Sequence, residues 1–281
     1  MSSFLSVDFD FFVFNGLEAD NLFEPLLFDW GHSESHPAVL QQILWQHRHH
    51  NFRANGICPE EICDASSRGH VSVNDFVHAV RSKVVFNDSV PEFFDLTIAD
   101  SHALGFRAAA ESYATHGPLD VIHFDAHADL GYNSDHVAKE EECGTISCES
   151  WLHHAMTRGL VQSVVVVYPD WRAGGEFPPD KIPRHIDTEK ITFTNWSKWL
   201  TSDTANKSID SAFVCRSSAW SPPWMDRQFS RLVELISPNI QAFCYDCSPE
   251  NREIHDNRTV SGSHDACKDR TFSPLPEEFS A

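Results

Sequence analysis

Short apolar runs separated by polar turns and amphipathic stretches set the rhythm of this chain. Residues 4–13 are mostly apolar, with Asp8 and Asp10 as the charged exceptions, and read as a buried strand carrying two acids on one face. Pro37 fits the first turn of a helix that runs through Leu40, Ile43 and Leu44 to about His49. Residues 73–83 read as a short helix with Ser72 or Asn74 near its cap, and residues 95–100 as the next strand. An Ala-rich helix follows from about Ala103 to His116. The run Val121-Ile122-His123-Phe124, entered through Gly117-Pro118, is short, β-branched and aromatic, which marks a strand. Residues 131–144 read as a polar loop in which Glu140-Glu141-Glu142 is a solvated face. Residues 148–158 read as a helix with Trp151 and Leu152 on its inner side.

The alternation continues to the end of the periodic region. Strands are expected at 163–168, 190–194, 211–216 and 240–245, and helices at 196–200 and 226–236. Strands alternating with helices predict an α/β fold, a mainly parallel sheet covered by helices on both faces in three α/β/α layers. No repeat and no linker divides the chain, so residues 1–248 are expected to form one domain. Residues 249–281 are polar and aperiodic, and are expected to be a partly disordered tail.

Composition narrows the function. Hydrophobic residues are 41% of 281, enough for a sizeable core, and 21 Lys and Arg against 41 Asp and Glu give a formal charge of −20. That balance argues against a nucleic-acid partner. It suits a cationic substrate, although acidity also simply maintains solubility. The first residues lack a basic segment followed by an apolar one, and Asp8 and Asp10 come too early for a signal peptide. No apolar run approaches the roughly eighteen residues a membrane span needs. A cytoplasmic protein with no membrane partner is therefore expected, and the eight scattered cysteines are expected to be reduced thiols. Cys244 and Cys247 form a C-x-x-C without the second pair that a structural zinc site needs.

The chemistry concentrates at strand ends. Asp125-Ala126-His127-Ala128-Asp129 follows an apolar strand, and a strand period of two sends Asp125, His127 and Asp129 to one side. Open α/β folds build their sites at carboxyl ends of strands. Asp8 and Asp10 in an apolar run are costly unless paired or ligated. With His102, which follows Asp100-Ser101, these positions amount to four carboxylates and two imidazoles. An oxygen-rich set of that kind suits Mn²⁺. So many carboxylates suit two ions, roughly 3.5–4 Å apart in sites of this type, and such ions acidify a shared water toward neutral pH. The loop Asp29-Trp30-Gly31-His32-Ser33-Glu34-Ser35-His36 could rim the same pocket.

Asp125-Ala126-His127-Ala128-Asp129 resembles the D-A-H-x-D motif of the ureohydrolases, the arginase and agmatinase family. His102, 23 residues before Asp125, resembles that family's earlier histidine. Ser6-Val7-Asp8-Phe9-Asp10 is similar to its S-x-D-x-D element, which in the family lies on a late strand, so the double-Asp strand here is permuted to the N-terminus. The segments Val7–Phe12, Trp30–Glu34 and Ser147–Trp151 look most like a divergent branch, the peptide arginases, which convert arginine side chains in ribosomal peptides to ornithine. The resemblance implies an arginase-like fold and two Mn²⁺ per chain. Asp8 and Asp125 would bridge them, His102 and Asp129 would complete one, and Asp10 and His127 the other. It further implies that Asp129 orients a water and protonates the leaving group, that an arginine-containing precursor peptide is the partner, that urea is released, and that the chain could be a homo-oligomer.

Two family roles lack an aligned residue. Cys143-Gly144-Thr145 stands where the family has a proton-shuttling histidine, leaving His136 in the same segment as the substitute. The acid that grips the guanidinium could be Glu34, Glu149 or Glu250, with His32 beside the first of them. Arg216 is expected to be a core or salt-bridge residue. Other readings remain open: hydrolysis of a small guanidino compound such as arginine, agmatine or a guanidino acid; a one-zinc deacetylase-type amidohydrolase, against which the four acids argue; and a non-catalytic metal-binding module.

Overall fold

The computed structural model describes residues 2–13, 38–54, 56, 58, 65–87, 94–131, 134–172, 186–202, 207–236 and 243–245. Eight parallel-paired strands form one sheet: β1 (Ser2–Asp8), β2 (Val84–Phe86), β3 (Asp95–Ala99), β4 (Leu119–Phe124), β5 (Val161–Tyr168), β6 (Ile191–Asn195), β7 (Lys207–Cys215) and β8 (Phe243–Tyr245). Their order is β6-β5-β4-β1-β7-β3-β8, and β2 pairs with the beginning of β7. All pairings are parallel, so both faces must be covered. The described helices are α1 (Ala38–Ala54), α2 (Val73–Lys83), α3 (Gly105–His116), α4 (Ser134–Cys143), α5 (Trp151–Thr157), α6 (Trp196–Thr201) and α7 (Asp226–Ile236).

Side-chain alternation divides the core into the two outer layers. Leu5, Val7, Ile122, Phe124, Ala212 and Val214 pack against α2, α6 and α7 through Phe76, Trp199 and Leu232. The intervening positions, Phe4, Val121, Phe213 and Cys215, pack against α3 and α5 through Phe106, Trp151 and Leu152. By the same alternation Ser6, Asp8, His123 and Asp125 belong to the α3/α5 face. This is a mainly parallel α/β/α arrangement, as the alternating pattern predicts. No helix among the described residues is long and apolar enough to cross a membrane.

The first strand in the chain is central in the sheet, between β4 and β7. Its register places Val7 beside Phe124 and Asp8 beside Cys215. Asp8 is thereby brought level with Asp125 across more than a hundred residues of chain.

Several elements differ from expectation. The first apolar run does not continue as a strand to Val13: β1 stops at Asp8 and a 3-10 turn, Phe9–Phe12, follows. The Asp8 carboxylate accepts a hydrogen bond from the Asp10 amide at 3.1 Å, capping the turn, a local alternative that competes with the sheet ladder. Residues 134–143 are helical, not loop, and Glu140 is buried rather than solvated, accepting a hydrogen bond from the Ser147 amide at 2.9 Å and lying 3.2 Å from His154 Nε2. Helix α2 has the expected bounds, and its cap is Ser72, whose hydroxyl accepts from the Asp75 amide. Helix α7 also has the expected bounds, whereas α1 runs beyond His49 to Ala54.

Candidate metal centre

Three loops at carboxyl ends of strands converge on the α3/α5 face. Asp8 ends β1 and Asp10 lies in the 3-10 turn that follows. That turn is pinned by its phenylalanines. Phe11 and Phe12 meet Phe76 at 5.6 and 5.1 Å between ring centroids, and Phe11 meets Phe124 at 5.8 Å. With all three turn phenylalanines buried, Asp10 is held toward the site, where its Oδ1 accepts from the Ala126 amide at 3.2 Å. His102 follows β3 and opens a second 3-10 turn. Asp125 to Asp129 follow β4.

These residues form a buried cluster. His102 Nδ1 lies 2.9 Å from Asp8 Oδ2, 3.2 Å from Asp125 Oδ2 and 3.0 Å from Asp129 Oδ2. His127 Nδ1 lies 2.9 Å from Asp10 Oδ2 and 3.4 Å from Asp125 Oδ1. Asp125 is therefore common to two donor groups, one on each of its oxygens. All six metal-ligand candidates from the sequence meet here.

A seventh group was hidden in an apolar run. His123 Nε2 lies 3.1 Å from Asp125 Oδ2 and 3.9 Å from Asp129 Oδ2, while its Nδ1 is 3.1 Å from the Ser6 hydroxyl. The signal was available: His123, Asp125, His127 and Asp129 are spaced by two, and His123 shares the inward parity of Asp125. Ser217 is another addition. Its hydroxyl donates to Asp8 Oδ2.

Backbone strain gathers at the same place. Asp129 and Ser217 have φ of 51° and 47°, and among the described residues they are the non-glycine positions with positive φ. Left-handed backbone in such residues persists where the surroundings impose it, and it concentrates at functional sites. Asp129 is held at both ends. Its carbonyl accepts from the Leu152 and His153 amides at 3.1 and 3.3 Å, and its Oδ2 accepts from the Trp151 indole at 2.8 Å. Trp151 and Phe213 also stack on the His102 ring, at 5.7 and 5.4 Å.

The donor set fits a cation. Asp10 Oδ2, Asp125 Oδ2 and His123 Nε2 are fully buried, lie close to neighbouring nitrogens or oxygens, and make no hydrogen bond. Buried polar atoms left in that condition cost free energy that an ion would recover. The residues could hold a metal ion as His102, His123 and Asp125 or as Asp8, His102 and the buried Cys215 on one side, and as Asp10, Asp125 and His127 on the other.

Charge points the same way. Burial, then repulsion from Asp10 and Asp125, pushes the Asp8 carboxyl up to about 7. Burial and repulsion from Asp125 push Asp10 up to about 6. Burial opposes charge on Asp125 too, but the His102 and His123 rings against it hold it well below the usual carboxylate range. Burial would depress His102, yet Asp8 and Asp129 hold it well above the usual imidazole range.

A pH dependence follows for the metal-free protein. Carboxyls whose folded pKa is raised stabilise the fold below their unfolded value near 4, and that contribution is lost as pH rises through 6 and 7. The raised His102 acts in the same sense at higher pH, and the depressed Asp125 acts below pH 4. The melting temperature of chelator-treated protein is therefore expected to fall between pH 5 and 7.5, while added divalent metal releases protons and flattens the dependence. A chelated protein whose melting temperature is flat or rises over that range would contradict this electrostatic account.

Access lies on one side. His127 has a side chain 30% exposed, against 5% or less for its partners, and its ring packs on Trp220 at 5.6 Å. The remaining sequence candidates fall elsewhere. The structure joins His136 and Glu149 to each other at 2.7 Å, both substantially exposed, not to the aspartate cluster. His32, Glu34 and Glu250 lie outside the described residues. Arg216 is a buried ion-pair residue as expected, with Nη2 donating to Asp100 Oδ2 at 2.7 Å. No family model, curated protein or solved structure matches this chain.

Proposed function

We propose that this protein is a dinuclear manganese hydrolase that converts arginine side chains of a peptide to ornithine and releases urea. The observation that supports it best is the buried Asp125, whose two oxygens face two separate imidazole-carboxylate groups. His102, His123, Asp125, Asp8 and Asp129 would hold one ion, and Asp10, His127 and the shared Asp125 the other. Four carboxylates and three imidazoles against the single Cys215 thiol beside Asp8 and His102 make an oxygen-rich set, which favours Mn²⁺ over the thiolate-preferring metals. Such a pair of ions, when bound, supplies Lewis acidity and a water acidified toward neutral pH.

The chain's own groups set the rest of the chemistry. Asp129, fixed by the Trp151 indole and by its left-handed backbone, is the carboxylate placed to orient a water and return a proton to the departing amine. Trp151 and Phe213 exclude solvent from the His102 side. Substrate would enter past His127 and Trp220, whose indole face suits a planar guanidinium. The charge of −20 draws cationic side chains. The sequence also lacks visible motifs for the α-amino and α-carboxyl groups of free arginine, which favours a peptide and fits the resemblance to peptide arginases with a permuted double-Asp strand.

Mn²⁺-loaded protein incubated with a short arginine-containing peptide should release urea and lower the peptide mass by about 42 Da per arginine converted. Free arginine and agmatine should give far less. Urea from a small compound alone would transfer the assignment to a small-molecule ureohydrolase, and urea from none of the three would overturn guanidine hydrolysis.

A further inference from the structure

A second cluster of metal-competent groups lies on α4 and α5, and it shares no residue with the aspartate cluster. His153 and His154 are completely buried on α5, with ring centroids 5.3 Å apart and planes nearly perpendicular. Both ring nitrogens of His153 and Nδ1 of His154 have no hydrogen-bond partner. Glu141 of α4 brings its Oε1 to 3.7 Å from His153 Nε2. One nitrogen from each ring and one Glu141 oxygen all lie within 4.8 Å of one another.

From this geometry we propose that His153, His154 and Glu141 form a separate site for a single zinc-class divalent ion. Two imidazoles and a carboxylate are a standard zinc donor set, and ligands about 2.0–2.1 Å from a tetrahedral ion stand roughly 3.3 Å apart. Ligation would require the 3.7 Å between His153 Nε2 and Glu141 Oε1 to close to that value. Three buried, unpartnered imidazole nitrogens are expensive in a protein interior, and ligation would satisfy part of that demand.

Protonation is consistent with ligation. Burial and the neighbouring His154 push His153 down to about 4, so it is a neutral imidazole with a lone pair to donate. The buried Glu140 contacts His154 Nε2 at 3.2 Å and is held down to about 2 despite burial, chiefly by that contact and the Ser147 amide. It is the group placed to orient the His154 ring, as carboxylates commonly do for metal-bound histidines. The Arg158 guanidinium also acts on Glu141, so a bound ion must outcompete that cation for the carboxylate.

The ion would tie α4 to α5. Helix α5 begins with Trp151, whose indole holds Asp129. The site thus braces the helix that positions a residue of the principal cluster, and it stands independently of the hydrolase assignment.

The test is zinc stoichiometry of the full-length chain. Protein stripped with chelator and dialysed against Zn²⁺ should lose one equivalent per chain in Glu141→Gln and in His153→Gln relative to wild type. Co²⁺ substituted for zinc should lose the intense visible absorption of a four-coordinate ion in both variants. Residual affinity at the altered site should fall at least about 10-fold. The Glu141 side chain is 48% exposed, so Glu141→Gln is expected to fold and decides the matter if His153→Gln does not. Unchanged zinc stoichiometry in folded Glu141→Gln would overturn the proposal.

Discussion

Replacing Asp125 with asparagine is expected to abolish turnover and remove both ions together. The carboxylate is fully buried, with Oδ2 against His102 and His123 and Oδ1 against His127. Asparagine keeps the volume and one acceptor oxygen. It removes the negative charge and presents an amide to one of the two groups, where it cannot ligate. Loss of several kcal/mol of charge stabilisation corresponds to at least about 10³-fold in rate. Asp10→Asn, which touches only the His127 side, should weaken one ion more than the other. Manganese titration of the two variants checks this. Equal and partial loss in both would show that Asp125 is not shared.

The second large effect is expected from a methyl group outside the cluster. Gly105 opens α3 with an ordinary helical φ of −59°, so backbone freedom does not explain it. A Cβ there would stand 2.8 Å from Cδ2 and 3.0 Å from Cε2 of Trp151. Trp151 cannot retreat freely, because it is completely buried, stacks on His102 and donates to Asp129. Alanine gains up to about 1 kcal/mol of helix propensity over glycine, while overpacking costs about 1–3 kcal/mol. The displaced indole then misplaces Asp129, and a supporting contact of that kind is worth about 10- to 100-fold in metal affinity. Gly105→Ala should therefore bind manganese that much more weakly while losing only a few degrees of melting temperature. Wild-type manganese affinity in this variant would mean that the indole does not position Asp129.

The sequence exposed the frame of the site and concealed its supports. Asp8, Asp125 and His102 were legible because each ends an apolar strand, where an acid or imidazole is conspicuous. Asp10 was legible as a residue but not as a conformation, since the cap formed by Asp8 replaces a strand with a turn and no periodicity records that. His123 was obscured by its neighbours: within an apolar run it reads as part of the strand, although parity alone places it beside Asp125. Glu140 departs from expectation because a run of three acids normally marks solvent; Glu141 and Glu142 do face it, whereas Glu140 meets His154 and the Ser147 amide across a loop. Ser217 and Trp151 depend on contacts over 209 and 22 residues of separation, which local pattern cannot supply.

The electron paramagnetic resonance spectrum of the protein titrated with Mn²⁺, read against bound stoichiometry, decides whether the centre is dinuclear. The shared carboxylate predicts two Mn²⁺ at this cluster and the spectrum of an exchange-coupled pair, which Asp125→Asn abolishes. A single uncoupled Mn²⁺ signal at saturation, unchanged by that substitution, would contradict the dinuclear centre.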